Sequence, residues 1–374
     1  MWNKLRFPAA LCVCLILVFS SVGMTLGKTD SVPMFRGDSA HTGKMPGPGP
    51  AGEPVELWRQ ETPNNYTSAV VVEGVLYVGS FDSAVFALDA ATGAEKWRFL
   101  TRDWVGSTPA IVGDTIYFGS QDSNVYALDK ATGELRWKFE TGDAVGDSPT
   151  VVGGVVYVGG YDGNVYALDA TNGNELWRFV TGSYVQSSPA VVDGVVYIGS
   201  ADNNLYALDA NNGSELWQFY SEFGVTTSPS IAKGLVFFGG TDGFLYGLDA
   251  ASGAERWRFA TGEPIISSPA VVSGVVYFGS RAGTVYALVA ATGEERWQFV
   301  TDGNVYSSPV LADGVIYIGN EEGNVYALTA KTGTELWHFN VGVGVNSSPA
   351  VVGGIVYVGG YGGIYAIAGS ENAK

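Results

Sequence analysis

The stretch SSPAVVDGVVYIGSADNNLYALDANNGSELWQF, residues 187–219, decides the fold. It holds four short runs rich in Val, Ile, Leu, Tyr, Phe and Trp, at 189–192, 195–198, 205–208 and 215–219. Such residues suit a pleated, half-buried surface. Turn residues separate the runs: Asp193-Gly194, Asp202-Asn203-Asn204 and Asn211-Asn212-Gly213. Asx-Gly pairs supply the positive φ that tight hairpins need. No segment has an apolar period of helix length. The stretch therefore predicts a four-stranded antiparallel meander, whose strands are termed inner, second, third and outer in chain order. The second run, GVVYIG at 194–199, is apolar on consecutive residues. That pattern marks a strand covered on both faces.

The same stretch recurs on a ruler. Gly79, Gly119, Gly159, Gly199, Gly239, Gly279, Gly319 and Gly359 each end an apolar run, 40 residues apart. Trp97, Trp137, Trp177, Trp217, Trp257, Trp297 and Trp337 keep that step, and Trp58 lies 39 residues before Trp97. A fixed period of about 20–50 residues marks a solenoid, a propeller or an array. The first strand-like run, VELWRQ at 55–60, reads as an outer strand with no blade before it. The last set, 347–367, reads as inner, second and third strands with no outer strand after them. An open array would leave both sheet edges raw. In a ring the first run completes the last sheet. The expectation is an all-β, eight-bladed β-propeller of four-stranded antiparallel blades over residues 55–368, closed by its N-terminal outer strand.

The strings FALDAATGAEKW (86–97) and YALDKATGELRW (126–137) carry a resemblance. They look like the tryptophan-docking motif of quinoprotein (PQQ-type) propellers, and the likeness covers nearly the whole chain after its leader. The Gly-His and Trp-Asp signature of WD repeats is absent. The resemblance implies that each outer-strand Trp packs across to the next blade's motif and knits the ring. These tryptophans are then packing residues, not a substrate cage.

Residues 1–27 combine a basic start (MWNKLR), an apolar stretch and small residues near Ser21, Gly23, Thr25 and Gly27. That is the pattern of a cleaved secretory signal peptide, with an uncleaved membrane anchor as the rival. Secretion to the periplasm, cell envelope or exterior follows. Both cysteines, Cys12 and Cys14, lie inside this segment, without a lipobox before either. The remainder has no thiol for disulfides, catalysis or metal ligation. Residues 28–54 read as a lead-in and a stiff Pro/Gly connector, with Pro33–Gly43 laid against the ring by Phe35, and 369–374 as a tail. Arg36-Gly37-Asp38 spells a cell-adhesion tripeptide, which a chance match explains better than adhesion does.

There are 37 acidic against 20 basic residues, for a net charge of −17. No basic stripe exists, so nucleic acid is not an expected partner. The charge favours solubility and cationic ligands. Only two histidines occur: His41 in the lead-in and His338 on an outer strand, in a column otherwise held by Arg, Lys or Gln. This argues against a Ser-His-Asp or His-metal centre. Asp recurs in the turns between second and third strands (Asp82, Asp122, Asp162, Asp202, Asp242) and between third and outer strands (Asp89, Asp129, Asp169, Asp209, Asp249). Repetition at one turn type reads as turn chemistry rather than a calcium site.

The resemblance raises a PQQ- and calcium-dependent dehydrogenase as an alternative. Family dehydrogenases use a carboxylate base, a calcium-bound cofactor at the ring mouth and long closing loops. Here every repeat from 61 to 340 keeps one length, so no loop can form a lid that excludes water. No catalytic motif matches residue by residue. The non-catalytic branch, BamB-like propellers of outer-membrane assembly, fits better, although a lipid-anchor Cys is lacking. The expectation is an exported scaffold, monomeric as a ring, with a protein partner, no catalytic residues and no metal or cofactor. A carbohydrate or small-ligand module is a further alternative.

Propellers bind mostly at the channel mouth. Here the mouth carries the outer-to-inner loops and the second-to-third turns. The loops vary most, from TRDWVGS (101–107) to VGVGVNS (341–347). Of ten tryptophans, only Trp104 and Trp2 stand outside the outer strands. Tyr184 shares the column of Trp104, Tyr66 and Tyr306 share another, and Phe223 is adjacent. Phe81, Tyr161 and Tyr361 come from the turns; Asp103, Asp143, Asp147 and Glu263 add negative charge. Aromatics beside carboxylates at a concave mouth suit a peptide loop, a cation or a sugar, although lone exposed aromatics are also ordinary. Blades six to eight depart from the pattern together, at Ala282, Val289, Glu322, Thr329 and Gly362. Relaxed turns near the closure explain that arc more simply than a partner does.

Overall fold

A computed structural model describes residues 31–61 and 67–371. The signal-like segment and Tyr66 lie outside the described residues. Eight sheets of four antiparallel strands form the ring, and the described residues include no helix. In the fourth blade the strands are Ala190–Val192, Val195–Gly199, Asn204–Asp209 and Glu215–Tyr220, with pairs such as Val196↔Leu208 and Ala207↔Trp217. Second and third strands are buried almost throughout, whereas outer strands alternate. Two-sided cover explains the unbroken apolar runs.

Ring closure follows the expected overhang. The strand Pro54–Glu61 pairs antiparallel with Gly363–Gly369, from Pro54↔Gly369 to Glu61↔Gly363, with a register shift between Glu56 and Trp58. It is thereby the outer strand of the eighth sheet.

The core lies between blades. Tyr157, Val165 and Trp177 of the third blade, for example, meet Val191, Ile198, Tyr206 and Leu208 of the fourth. Each docking Trp reaches the following blade. Trp177 Nε1 donates to Ala210 O at 3.0 Å, and Tyr157 OH donates to the same carbonyl at 3.1 Å. Trp58 Nε1 donates to Ala90 O at 3.0 Å, which joins the closing strand to the first blade. The indole lies on the glycine of the next blade's third-to-outer turn. At Gly173 (φ 75°) a Cβ would come within 2.6 Å of the Trp137 ring. Glycine there satisfies both the left-handed backbone and the close approach. The ruler glycines have a different cause: a Cβ on Gly159 would collide with Val185 of the loop leaving that blade.

The lead-in is laid against the ring from inside the channel, along the inner strands. Inner strands have a free edge facing the axis, and such an edge needs partners. Residues 32–48 supply them in turn. Ile111 N donates to Pro33 O, Val191 N to Ser39 O, Ile231 N to Ala40 O, Val271 N to Thr42 O and Leu311 N to Gly43 O, all at 2.7–2.9 Å. Val32 bridges Val71, and Gly354 N donates to Pro48 O. Arg36 is 2% exposed, so the Arg-Gly-Asp tripeptide is not presented for adhesion. Its guanidinium donates to Ser268 O (2.9 Å), Pro309 O (3.0 Å) and His41 O (3.2 Å). Burial lowers its pKa to about 9, against the pull of Asp38, which leaves it charged at neutral pH. His41 is fully buried, with Nε2 3.3 Å from Thr150 Oγ1. Burial and the Arg36 charge together depress its pKa to about 3, so it is neutral.

Candidate functional site at the channel mouth

With the lead-in filling the axis, the channel is a cup open on the face of the outer-to-inner loops. The cup has a volume of about 270 Å³, and Phe35 of the lead-in contributes to its lining. Its wall is a ring of eight hydroxyls from one repeat column, Ser68 and Thr108 through to Ser348. They are tied to one another around the ring. Thr108 N donates to Ser148 Oγ, Ser148 N to Ser188 Oγ, Ser188 N to Ser228 Oγ, and Ser348 N to Ser68 Oγ, at 2.9–3.1 Å. This wall was not singled out from the sequence. Its signal is plain in retrospect: a Ser or Thr at every fortieth position, followed by proline in every blade but the first, where Ala69 follows Ser68.

The candidate aromatics divide by position. Phe81 and Trp104 stack face to face, with centroids 5.0 Å apart and planes at 2°. Trp104 remains 52% exposed. Two blades on, at the same columns, Tyr161 and Tyr184 meet at 5.9 Å. The sequence named all four residues but not their pairing, which follows from a turn and a loop of one blade facing each other. Phe223 and Tyr361 are exposed, with Asn346 Nδ2 reaching Tyr361 OH at 3.4 Å, and Tyr306 is half-buried. Gln186 Nε2 reaches Tyr161 OH at 3.4 Å. Burial raises the Tyr161 pKa to about 12, with the Asp147 charge adding to the effect.

The carboxylates also separate. Asp103 and Asp143 are exposed and accept the next residue's amide, from Trp104 N and Ala144 N. Glu263 lies in a shallow depression with Pro264, Arg281 and Asn304. Asp147 alone of the four lines the cup.

The recurrent turn aspartates are structural. Asp162 accepts Asn164 N (3.0 Å) on Oδ1, and Tyr166 OH (2.5 Å) and Gly142 N (2.7 Å) on Oδ2. Burial opposes its charge, yet these bonds hold its pKa below the usual range. Asp89 accepts Ala91 N and Thr92 N on Oδ1. In the seventh blade, where Glu322 replaces the turn aspartate, Asp302 of the preceding loop takes over. It accepts Tyr326 OH at 2.7 Å and the side-chain amides of Asn320 and Asn324 at 2.6 and 2.8 Å. That blade's departure is thus a relocated carboxylate. His338 is on an outer strand with Nδ1 2.8 Å from Glu335 Oε1, and is a surface residue. Among the described residues no three His, Cys, Asp or Glu side chains converge as metal ligands.

An eight-bladed ring whose outer-strand tryptophans dock on the next blade defines a PQQ-like β-propeller. The sequence profile of the family described as outer membrane protein assembly factor BamB matches residues 53–145, 121–264 and 241–371, and the chain belongs to that family. No curated protein matches it in sequence. Solved structures share the fold at low identity. BamB from Moraxella catarrhalis is 19% identical with a TM-score of 0.74, over 84% of this chain and 99% of that one. The quinohemoprotein alcohol dehydrogenase ADHIIG from Pseudomonas putida HK5 is 17% identical with a TM-score of 0.79, over 91% and 80%. The computationally designed protein Ika8 is 18% identical with a TM-score of 0.76, over 83% and 98%. An assembly factor, an enzyme and a design share one architecture, so the fold does not choose among functions.

Proposed function

We propose that this chain is an exported, non-catalytic propeller of the cell envelope that scaffolds protein contacts through its mouth face, in the manner of the assembly factors of its family. The observation that carries this reading is the pair of aromatic couples, Phe81–Trp104 and Tyr161–Tyr184, held on loops that the repeat leaves free. Exposed Trp and Tyr on a rigid frame are frequent interface anchors.

The cup does not suit PQQ with calcium. Calcium takes about 6–8 oxygen ligands. Asp147 is the only carboxylate among the cup's lining residues, and the remainder are chiefly hydroxyls. Two measurements on the purified protein test the reading. Dye-linked oxidation of alcohols or sugars with added PQQ and calcium should show no turnover, and clear turnover would overturn it. Capture from native envelopes should retain a discrete protein that Trp104→Ala releases; binding on a glycan array in place of such capture would favour the carbohydrate module.

A further inference from the structure

Asp147 breaks the repeat at a position where the other blades agree. In the other seven blades the residue of that column is Ser or Thr, and in six of them its hydroxyl clamps the ruler glycine twelve residues on. Ser107 Oγ donates to Gly119 O (2.8 Å) and accepts Gly119 N (2.9 Å), and Thr227 does the same with Gly239. The same contact recurs at Thr67, Ser187, Ser267 and Ser347. Those side chains are fully buried. Asp147 is longer and ionisable, is only half-buried, and lines the cup; burial favours its protonated form, and a cation in the cup would favour the carboxylate. Its Oδ2 is sealed from solvent with no hydrogen-bond partner. A carboxylate oxygen without a donor is costly, so its retention needs a reason. Arg36, the one buried Lys or Arg among the described residues, donates instead to three carbonyls.

The surrounding face points the same way. The outer-to-inner loops and second-to-third turns after residue 80 carry 13 Asp and Glu but only Arg102 and Arg281 as cations. The turns of the opposite face, with the aspartates that end the third strands, carry eleven acidic and three basic residues. Both faces are net negative, and the charge at the mouth steers cations toward the cup. A cup of about 270 Å³ walled by hydroxyls has room for the end of one long side chain. Ammonium and guanidinium groups are donors only, and match a carboxylate ringed by hydroxyl oxygens.

We propose that Asp147 is the anchor of a subsite for one basic side chain, a lysine or arginine that the protein partner inserts into the channel mouth. The proposal rests on the scaffold reading above and names the chemistry of its partner. The aromatic couples flank the entrance, and the Asp147 carboxylate with the hydroxyl ring receives the cationic head.

The test uses the full chain and small probes. Amide NMR shifts are followed as N-acetyl-lysine amide and N-acetyl-arginine amide are added, with N-acetyl-norleucine amide as the uncharged control. Saturable shifts confined to residues 141–148 and their neighbours in the cup are expected from the cationic amides only. Asp147→Asn and Asp147→Ser should weaken this binding about tenfold or more, the loss of one ion pair of roughly 1.4 kcal/mol. Glu134→Gln, on the opposite face, should leave it unchanged. Asp147→Ser restores the hydroxyl of the other blades, so it should fold at least as stably as the parent while losing the probe. Shifts absent with both cationic amides, equal with norleucine amide, or kept in both Asp147 variants would overturn the proposal. If the partner is still captured and still released by Trp104→Ala, such a failure removes the subsite and leaves the scaffold reading standing.

Discussion

Two tryptophans with one side-chain chemistry occupy opposite ends of the energetic scale. Trp177 is 8% exposed, donates to Ala210 O and fills the cleft between two blades. Trp177→Ala should cost roughly 3–5 kcal/mol as a core truncation. Trp104 is half exposed and touches chiefly Phe81. Trp104→Ala should cost no more than about 1 kcal/mol, the worth of one aromatic pair, yet should weaken partner capture. Melting temperature and partner retention separate the two. Equal destabilisation would make Trp104 a packing residue. Asp147 adds a pH signature. Burial pushes its folded pKa up to about 8 from 3.8, so the folded state holds the proton more tightly and stability falls as pH rises through that window. Asp147→Ser should therefore raise the melting temperature, with a gain that grows from about pH 5 to pH 8. A gain independent of pH would show that the carboxylate is not strained by burial. His41 has the opposite sign. Its pKa is depressed to about 3 from 6.5, so its stabilising contribution is complete above 6.5 and is lost as pH falls toward 3.

At the scale of elements, the strand Pro54–Glu61 and the lead-in perform different closures. The strand completes the eighth sheet, and its Trp58 docks on the first blade. Deleting residues 55–60 should leave Gly363–Gly369 as a bare edge and produce aggregation or a lower melting temperature. A monomeric deletion variant with unchanged melting temperature would contradict the pairing. The lead-in instead satisfies the inner edges. Arg36→Ala would leave three carbonyls without their donor, and a loss of about 3 kcal/mol or more is expected in denaturant titration. The strand's role was legible in the sequence because its VELWRQ run repeats the pattern of every other outer strand. The lead-in's path was not, because its contacts are backbone bonds to residues up to three hundred positions away, and such bonds leave no side-chain pattern. The pairing of Phe81 with Trp104 was hidden for a related reason: each lies in a column that varies between blades, so neither predicts the other.

The whole molecule is a rigid ring with two unlike faces. The repeat fixes everything periodic: Gly159 against Val185, Trp137 on Gly173, Tyr157 and Trp177 on one carbonyl. Departures from the period occur on both faces, at Val289 and Thr329 as well as at Phe81, Trp104 and Asp147, and the proposed docking function draws on those at the mouth. The relocation of the turn carboxylate to Asp302 shows that some departures only restore the local bonds. The Phe81–Trp104 stack and Asp147 are the departures on which the docking proposal draws.

The most direct measurement places a photoreactive amino acid at position 104 of the mouth, or at position 251 on the opposite face, and irradiates native envelopes. Both positions are exposed. A discrete crosslinked protein from position 104 and none from position 251 is the predicted result. Crosslinking from position 251 alone, or equally from both, would contradict a docking mouth.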